Sequence, residues 1–324
     1  MSIEHFETVK NLIQESENSG LLFEGHNLTG YSGKKLIGTL QRIAKYQESI
    51  NAGCYLEIGV FQGLTLLSVA GMLDQTRPDQ TKAYGIDNFS QFDPQNTNQS
   101  VIFERAEANN LNNYGLISSD YEDALEQLDS HLGSEKIGTY FVDGPHDYRS
   151  QLVCLQLAKP FLSDLSVIIV DDCNYQHVRL ANRDFLMANP EFKLMFESYT
   201  KCHPANMDKQ SERDARKGWW NGVNIIVHDP EDKLNKMLPT TVRDRVLFEN
   251  EHIVHSAKYG FLAPDALSFV QSLFSMRLIR AFKQLRKMVS NARHMDKKFI
   301  GSHDNVNTFS ENLPERNVNP KLSK

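Results

Sequence analysis

Little in the 324 residues points to a stapled or membrane-embedded protein. The four cysteines, at 54, 154, 173 and 202, are far apart and form no CxxC pair, so neither a disulfide framework nor a zinc ligand set is expected. No run reaches the ~18 consecutive apolar residues that a membrane span needs, and no apolar stretch follows a basic leader at the start. The expectation is a cytoplasmic protein with reduced thiols. A basic excess is also missing, since 35 Lys and Arg face 41 Asp and Glu for a formal charge of −6; nothing general favours nucleic acid as a partner. There is no GxSxG elbow, and the cysteines have no evident His partner, which leaves covalent hydrolase chemistry without support. GYSGKK at 30–35 has Leu28 where a phosphate loop needs glycine. With 40% hydrophobic and 23% charged residues, a globular composition remains.

What is present is an alternation. KLIGTLQRIAKYQES at 35–49 puts Leu36, Leu40, Ile43 and Ala44 on one helical stripe and stops at Asn51-Ala52-Gly53, a C-cap signal. CYLEIGV follows as a short apolar strand, then a glycine turn and the helical LTLLSVAGMLDQ. Further strands are expected at AYGID (83–87), YGLISS (114–119), TYFVD (139–143), SVIIVDD (166–172), KLMFESY (193–199) and NGVNIIVHD (221–229). Such a series predicts an α/β fold: Rossmann-like, doubly wound, with a mostly parallel seven-stranded sheet and helices on both faces. Residues 1–50 are read as an N-terminal helical lid segment and 51–230 as the ligand-binding domain. Residues 231–295 are read as a C-terminal extension and 296–324 as a flexible tail. In the extension, Leu267, Val270, Phe274, Leu278, Ala281, Leu285 and Met288 predict a single basic amphipathic helix. A solvated face, an oligomer contact or peripheral membrane attachment would each suit it.

Two constellations carry chemistry. In YLEIGVFQG the first strand ends at Glu57, followed by Gly59 and Gly63, with Thr65 opening the next helix. The pattern ExGxxxG lets a ligand lie against bare peptide and a helix N-terminus. Phe61 replaces the middle glycine of a dinucleotide fingerprint, and an acid in the turn would repel pyrophosphate while suiting a cationic methionine-like group. Asp87 closes the second strand, where a carboxylate can take both ribose hydroxyls. Ser119 and Asp120 follow the third. Asp143 closes the fourth strand, and Asp171 and Asp172 the fifth. Three carboxylates converging at one edge would call for a divalent cation, and oxygen-only ligands point to Mg²⁺. The plain alternative is that Asp171 and Asp172 cap a helix and Asp143 supports a turn.

ExGxxxG followed by an acid after the second strand resembles the class I S-adenosylmethionine-dependent methyltransferases. DGPHDY followed by a VDD strand end resembles their metal-dependent O-methyltransferases, including the sugar, macrolide and cephalosporin-biosynthesis methyltransferase-like branch. The resemblance implies S-adenosylmethionine as cofactor, with Glu57, Gly59, Gly63, Thr65, Asp87, Ser119, Asp120 and Asp143 around it. It also implies Mg²⁺ or another divalent cation on Asp143, Asp171 and Asp172, and a small-molecule hydroxyl acceptor, a sugar or glycosylated natural product foremost. Pro145 stands where several relatives carry a second Asp as base. His146, at the place of the catalytic lysine of catechol-type enzymes, is the expected general base, with Asp147 and His177 in reserve. A metal-independent N- or O-methyltransferase, or a silent cofactor-binding protein, stays open. So does a homo-oligomer.

Overall fold

Cys54–Ile58 (β1) is buried along its whole length, as a strand must be when helices cover both faces of its sheet. The computed structural model describes residues 1–24, 28–75, 82–90, 93, 95–200, 203–204, 207–238, 241 and 263–298. Two helices precede β1, Ile3–Ser19 (α1) and Lys34–Ser49 (α2). After it come Leu64–Asp74 (α3), Ala83–Ile86 (β2), Asn98–Ala108 (α4), Tyr114–Ile117 (β3), Tyr121–Glu126 (α5) and Leu128–Leu132 (α6). The second half holds Ile137–Val142 (β4), Tyr148–Ala158 (α7), Leu162–Val170 (β5), Gln176–Ala188 (α8), Phe192–Ser198 (β6), Lys209–Lys217 (α9) and Val223–His228 (β7).

The strands order as β3-β2-β1-β4-β5-β7-β6. The first five are mutually parallel, and β7 runs antiparallel between β5 and β6. The expected seven-stranded, mostly parallel architecture is therefore present. Between β1 and β4 the winding changes direction, which opens a crevice beyond the carboxyl ends of the strands. Register levels those ends: Ile58 pairs with Ile86 and Val142, and Val142 with Val170. Gly59, Asp87, Asp143 and Asp171 consequently emerge along one rim.

Side-chain alternation sorts the sheet into two apolar layers. Tyr55, Phe141 and Ile169 pack with Phe6, Leu40 and Leu66 on one face, while Leu56, Tyr140 and Ile168 pack with Leu125, Leu155 and Phe185 on the other. The segment 1–50, expected as a lid, thus places α1 and α2 in the core; among its described residues, those that reach the crevice are 29–32.

The compact unit carrying the sheet runs to Thr241, and residues 242–307 form a second unit. Leu234 and Leu238 are buried in the first unit's core. Within the second unit the single long helix expected from sequence is two, Ala263–Phe274 (α10) and Leu278–Lys298 (α11). Met276 adopts a left-handed φ of 57°, and the N–H groups of Met276 and Arg277 return to the carbonyls of Leu273 and Ser272, a C-capping pattern that ends α10. The chain then doubles back: Ser272 Oγ lies 3.0 Å from Gln284 Oε1, and Lys287 lies 2.9 Å from Asp265. The tail expected from 296 onward lies, beyond Lys298, outside the described residues.

Candidate active site at the carboxyl edge of the sheet

Gly59 has φ 88°, and a Cβ there would stand 1.9 Å from the carbonyl oxygen of Asp143. Only glycine lets β1 and β4 approach this closely at their ends. Gly63, at φ 79°, is the N-cap of α3 without a capping side chain; the Leu66 N–H turns to Glu57, and the N–H groups before it face the turn, where an anion can be held. The turn is held from the neighbouring strand. Asp87 Oδ2 accepts the N–H groups of Val60 and Phe61, each at 2.9 Å, and Oδ1 accepts that of Phe89 at 2.7 Å. Phe61 and Phe89 are themselves left-handed, at φ 50° and 54°. Such conformations cost free energy and persist where surrounding bonds impose them, and here one carboxylate imposes both.

A cavity of about 900 Å³ lies above this turn, lined by Gly59, Thr65, Asp87, Asp120, Asp143 and His146 among others. Three expected site residues need closer placement. Glu57 points away, into the layer beneath the turn: it is fully buried and accepts hydrogen bonds from Tyr55 Oη and, at 3.1 Å, from Thr65 Oγ1. Burial pushes its pKa up to about 8. Direct contact between Glu57 and a ligand in the cavity is therefore corrected to support from below, because strand alternation sends residue 57 to the core side. Ser119 does not line the cavity either; its N–H turns back to the Ile117 carbonyl. Asp120 does line it, while capping α5 through the N–H of Glu122.

On the other side of the crevice the expected carboxylate trio becomes a mixed cluster. Ligand atoms of Asp143, His146 and Asp172 all lie within 4.8 Å of one another. Asp171 is not among them: it is buried, and its Oδ1 accepts the N–H of Asp172 at 2.7 Å. Both acids lie past the end of β5, where the left-handed backbone at Asp172 (φ 56°) parts their side chains, and in the cluster His146 stands where Asp171 was expected. Burial, and then Asp171 and Asp172, raise the pKa of Asp143 far above the carboxylate range. Burial disfavours the charged forms of both His146 and Asp172, yet their mutual attraction outweighs it, raising the imidazole and lowering the carboxyl. His146 Nε2 lies 2.5 Å from Asp172 Oδ2 but makes no hydrogen bond of acceptable direction. Asp171 Oδ2 is likewise buried without a partner. Ring nitrogen and carboxylate oxygen facing a shared point, with Asp143 alongside, form a donor set that fits a divalent cation.

Asp172 is held by long-range contacts. It is left-handed (φ 56°), and its Oδ1 accepts from Asn221 Nδ2 at 2.5 Å. The turn after β5 is zipped to the 221–222 segment through Cys173 N–H to Gly222 O and Asn174 N–H to Asn221 O. Asn174 also receives the N–H of Thr200. The segment between β6 and β7, which carries α9, brings His203 and Trp220 to the cavity wall. Tyr31 lies 5.7 Å from Phe61 and 6.2 Å from Trp220, while Tyr175 stacks on His146 at 5.0 Å. Trp219 is core, against Phe196. Nothing in the sequence alone singled out His203.

Residues 56–173 match a family model described as a methyltransferase domain, and the chain carries that domain over those residues. No curated protein sequence matches the chain. Among solved structures, an O-methyltransferase from Bacillus cereus in complex with SAH is 14% identical, with a TM-score of 0.41, over 70% of this chain and 92% of that one. A calicheamicin methyltransferase is 16% identical over 57% and 86%, with a TM-score of 0.36. A SAH-bound methyltransferase from Podospora anserina is 15% identical over 70% and 86%, with a TM-score of 0.39. Likenesses of this size bear on neither substrate nor residue roles. Among the described residues no helix is long and apolar enough to cross a membrane.

Proposed function

We propose that the protein is an S-adenosylmethionine-dependent O-methyltransferase that methylates a hydroxyl of a small molecule, a sugar or glycosylated natural product foremost, in a cytoplasmic setting. The observation that carries this reading is the position of the Asp143–His146–Asp172 cluster on the wall of the cavity that also opens onto Gly59 and Asp87. The cofactor's carboxylate suits the N-terminus of α3, its ribose the outer lone pairs of Asp87, and its adenine the rim at Asp120. Aromatic faces at Tyr31, Phe61 and Trp220 suit the apolar face of a sugar ring. In the reaction the acceptor oxygen attacks the methyl carbon in line, the carbon–sulfur bond breaks with its electron pair staying on sulfur, and the hydroxyl proton leaves to a base.

Asp143, His146 and Asp172 would hold a divalent cation, with a nitrogen donor that widens the choice from Mg²⁺ toward Mn²⁺, Fe²⁺ or Zn²⁺. When bound, the ion supplies Lewis acidity that lowers the pKa of a nearby hydroxyl. His203 on the same wall, its pKa lowered mainly by burial, is then the imidazole proposed to take the proton. A second reading is favoured by the 2.5 Å approach of His146 to Asp172: an Asp-oriented imidazole acting as the base without a metal. Calorimetric titration with S-adenosylmethionine tests the cofactor; absence of binding by the intact protein would refute the proposal. Methyl transfer in the presence of a chelator separates the two readings. Activity that is lost with chelator and restored by Mn²⁺ or Mg²⁺ supports the cation, whereas chelator-resistant activity that rises with pH through a value above 6.5 supports the His146 base.

A further inference from the structure

The helical pair α10–α11 presents apolar side chains that its own packing leaves uncovered. Ala281 and Ser272 are buried, and Ser272, Gln284, Asp265 and Lys287 tie the two helices together. In contrast, Phe274 is 87% exposed, Ile279 79%, Phe282 68% and Leu278 60%. On α11 the exposed residues Leu278, Phe282, Leu285 and Val289 recur at spacings of four, three and four, so they form one stripe along the helix. On α10, Leu267, Val270 and Phe274 do the same.

Charge decides what such a surface fits. Residues 263–293 contain Arg277, Arg280, Lys283, Arg286, Lys287 and Arg293 against the single acid Asp265, in a chain whose formal charge is −6. At 100° per residue, Arg286 and Arg293 fall on the border of the Leu278–Val289 stripe and Lys283 behind them. A second copy of the same pair would bring these like charges together around the apolar contact, which opposes self-association. An anionic bilayer meets both features at once, taking Phe and Leu side chains at the headgroup boundary and Arg and Lys at the phosphates.

We infer that α10–α11 is a docking surface for anionic lipid bilayers, by which the protein attaches reversibly to a membrane face. The inference is independent of the reaction assigned to the cavity. Its test is co-sedimentation of the full chain with phosphatidylcholine vesicles containing about a third phosphatidylserine, against pure phosphatidylcholine, with sedimentation velocity in parallel. Binding is expected to the anionic vesicles alone and to fade in high salt. The double substitution Phe274→Ser with Phe282→Ser should weaken it by about tenfold or more, as should Lys283→Glu with Arg286→Glu. Phe274→Leu with Phe282→Leu should retain it. Both phenylalanines are exposed, so unchanged far-ultraviolet helicity is the accompanying control. Equal binding to neutral vesicles, or no binding to either, would overturn the inference. So would a solution dimer, indifferent to vesicles, that the same Phe→Ser pair splits, since that assigns the surface to a second copy.

Discussion

The two sides of the crevice are built by different means. On the β1–β2 side a contiguous strand, turn and helix form the cradle, and side chains serve mainly to hold backbone: Asp87 accepts three N–H groups, and Glu57 braces Thr65 from below. On the β4–β5 side the cavity wall is made of side chains from separate segments, Asp143, His146, Asp172 and His203, with Asp172 held by Asn221 and, through it, Asn174. Both sides set left-handed residues against a carboxylate, Phe61 and Phe89 at Asp87, and Asp172 itself beside Asn221. The difference lies in what the acid is for. One acid organises peptide groups, and the other, itself buried, turns its carboxylate to the cavity wall beside His146. Charge should therefore matter far more on the second side than on the first.

The largest expected effect tests that directly. Asp172→Asn keeps a residue that tolerates the left-handed backbone while removing the carboxylate from the cluster. Methyl transfer should fall by roughly a thousandfold in kcat, with thermal unfolding close to wild type and S-adenosylmethionine affinity nearly unchanged. A fall in affinity instead would erase the contrast between the two sides. On the cradle side the largest effect is steric. Gly59→Ala sets a methyl group 1.9 Å from the Asp143 carbonyl at φ 88°, and urea unfolding should register a loss of about 3 kcal/mol or more together with lost cofactor binding. A smaller effect follows from Asp87→Ala, which releases the N–H groups of Val60, Phe61 and Phe89 and removes the candidate ribose contact. The Kd for S-adenosylmethionine should rise about ten- to a hundredfold, read by calorimetry.

The same contrast explains what could be read from the chain alone. ExGxxxG and the strand-end acids Asp87, Asp120 and Asp143 were legible because a parallel strand delivers its last residue to a known edge, and the local pattern carries both strand and turn. All seven strands followed from their apolar runs. Harder to read was anything that depended on which way a side chain turned: Glu57 goes to the core, and Asp171 and Asp172, adjacent in sequence, part company. His146 was recognised as reactive, but its approach to Asp172 depends on how the turn after β4 meets the turn after β5. The contributions of His203 and Trp220 hang on the pairing of Asn174 with Asn221, 47 residues away, for which the sequence has no periodic signal. The long C-terminal helix was misjudged because the apolar spacing runs through Met276, and a break by left-handed backbone at a non-glycine residue leaves no such trace.

The smallest expected effect gives the sharpest test of the cradle side, because it changes charge and almost nothing else. Burial raises the Glu57 pKa to about 8, above the ordinary value of about 4.5 that the unfolded chain would show. Between those values the folded state keeps a proton that the unfolded state releases, so the group's contribution to stability is complete below about pH 4.5 and declines as the pH rises toward 8. Glu57→Gln removes the titration while its carbonyl can still accept from Thr65 and its amide can face Tyr55. Urea unfolding at pH 5 and pH 8 should therefore show the wild type losing stability relative to the variant, by an amount on the order of a few kcal/mol. Asp143 and Asp171 titrate in both proteins, and because Glu57 also raises Asp143, the difference reports position 57 together with its coupling to Asp143. Methyl transfer at pH 7 should stay within about threefold of wild type, since Glu57 does not reach the cavity. A large rise in the Kd for S-adenosylmethionine would mean instead that the buried charge attracts the sulfonium through the turn, and the two sides of the crevice would then differ in distance to the reaction rather than in kind.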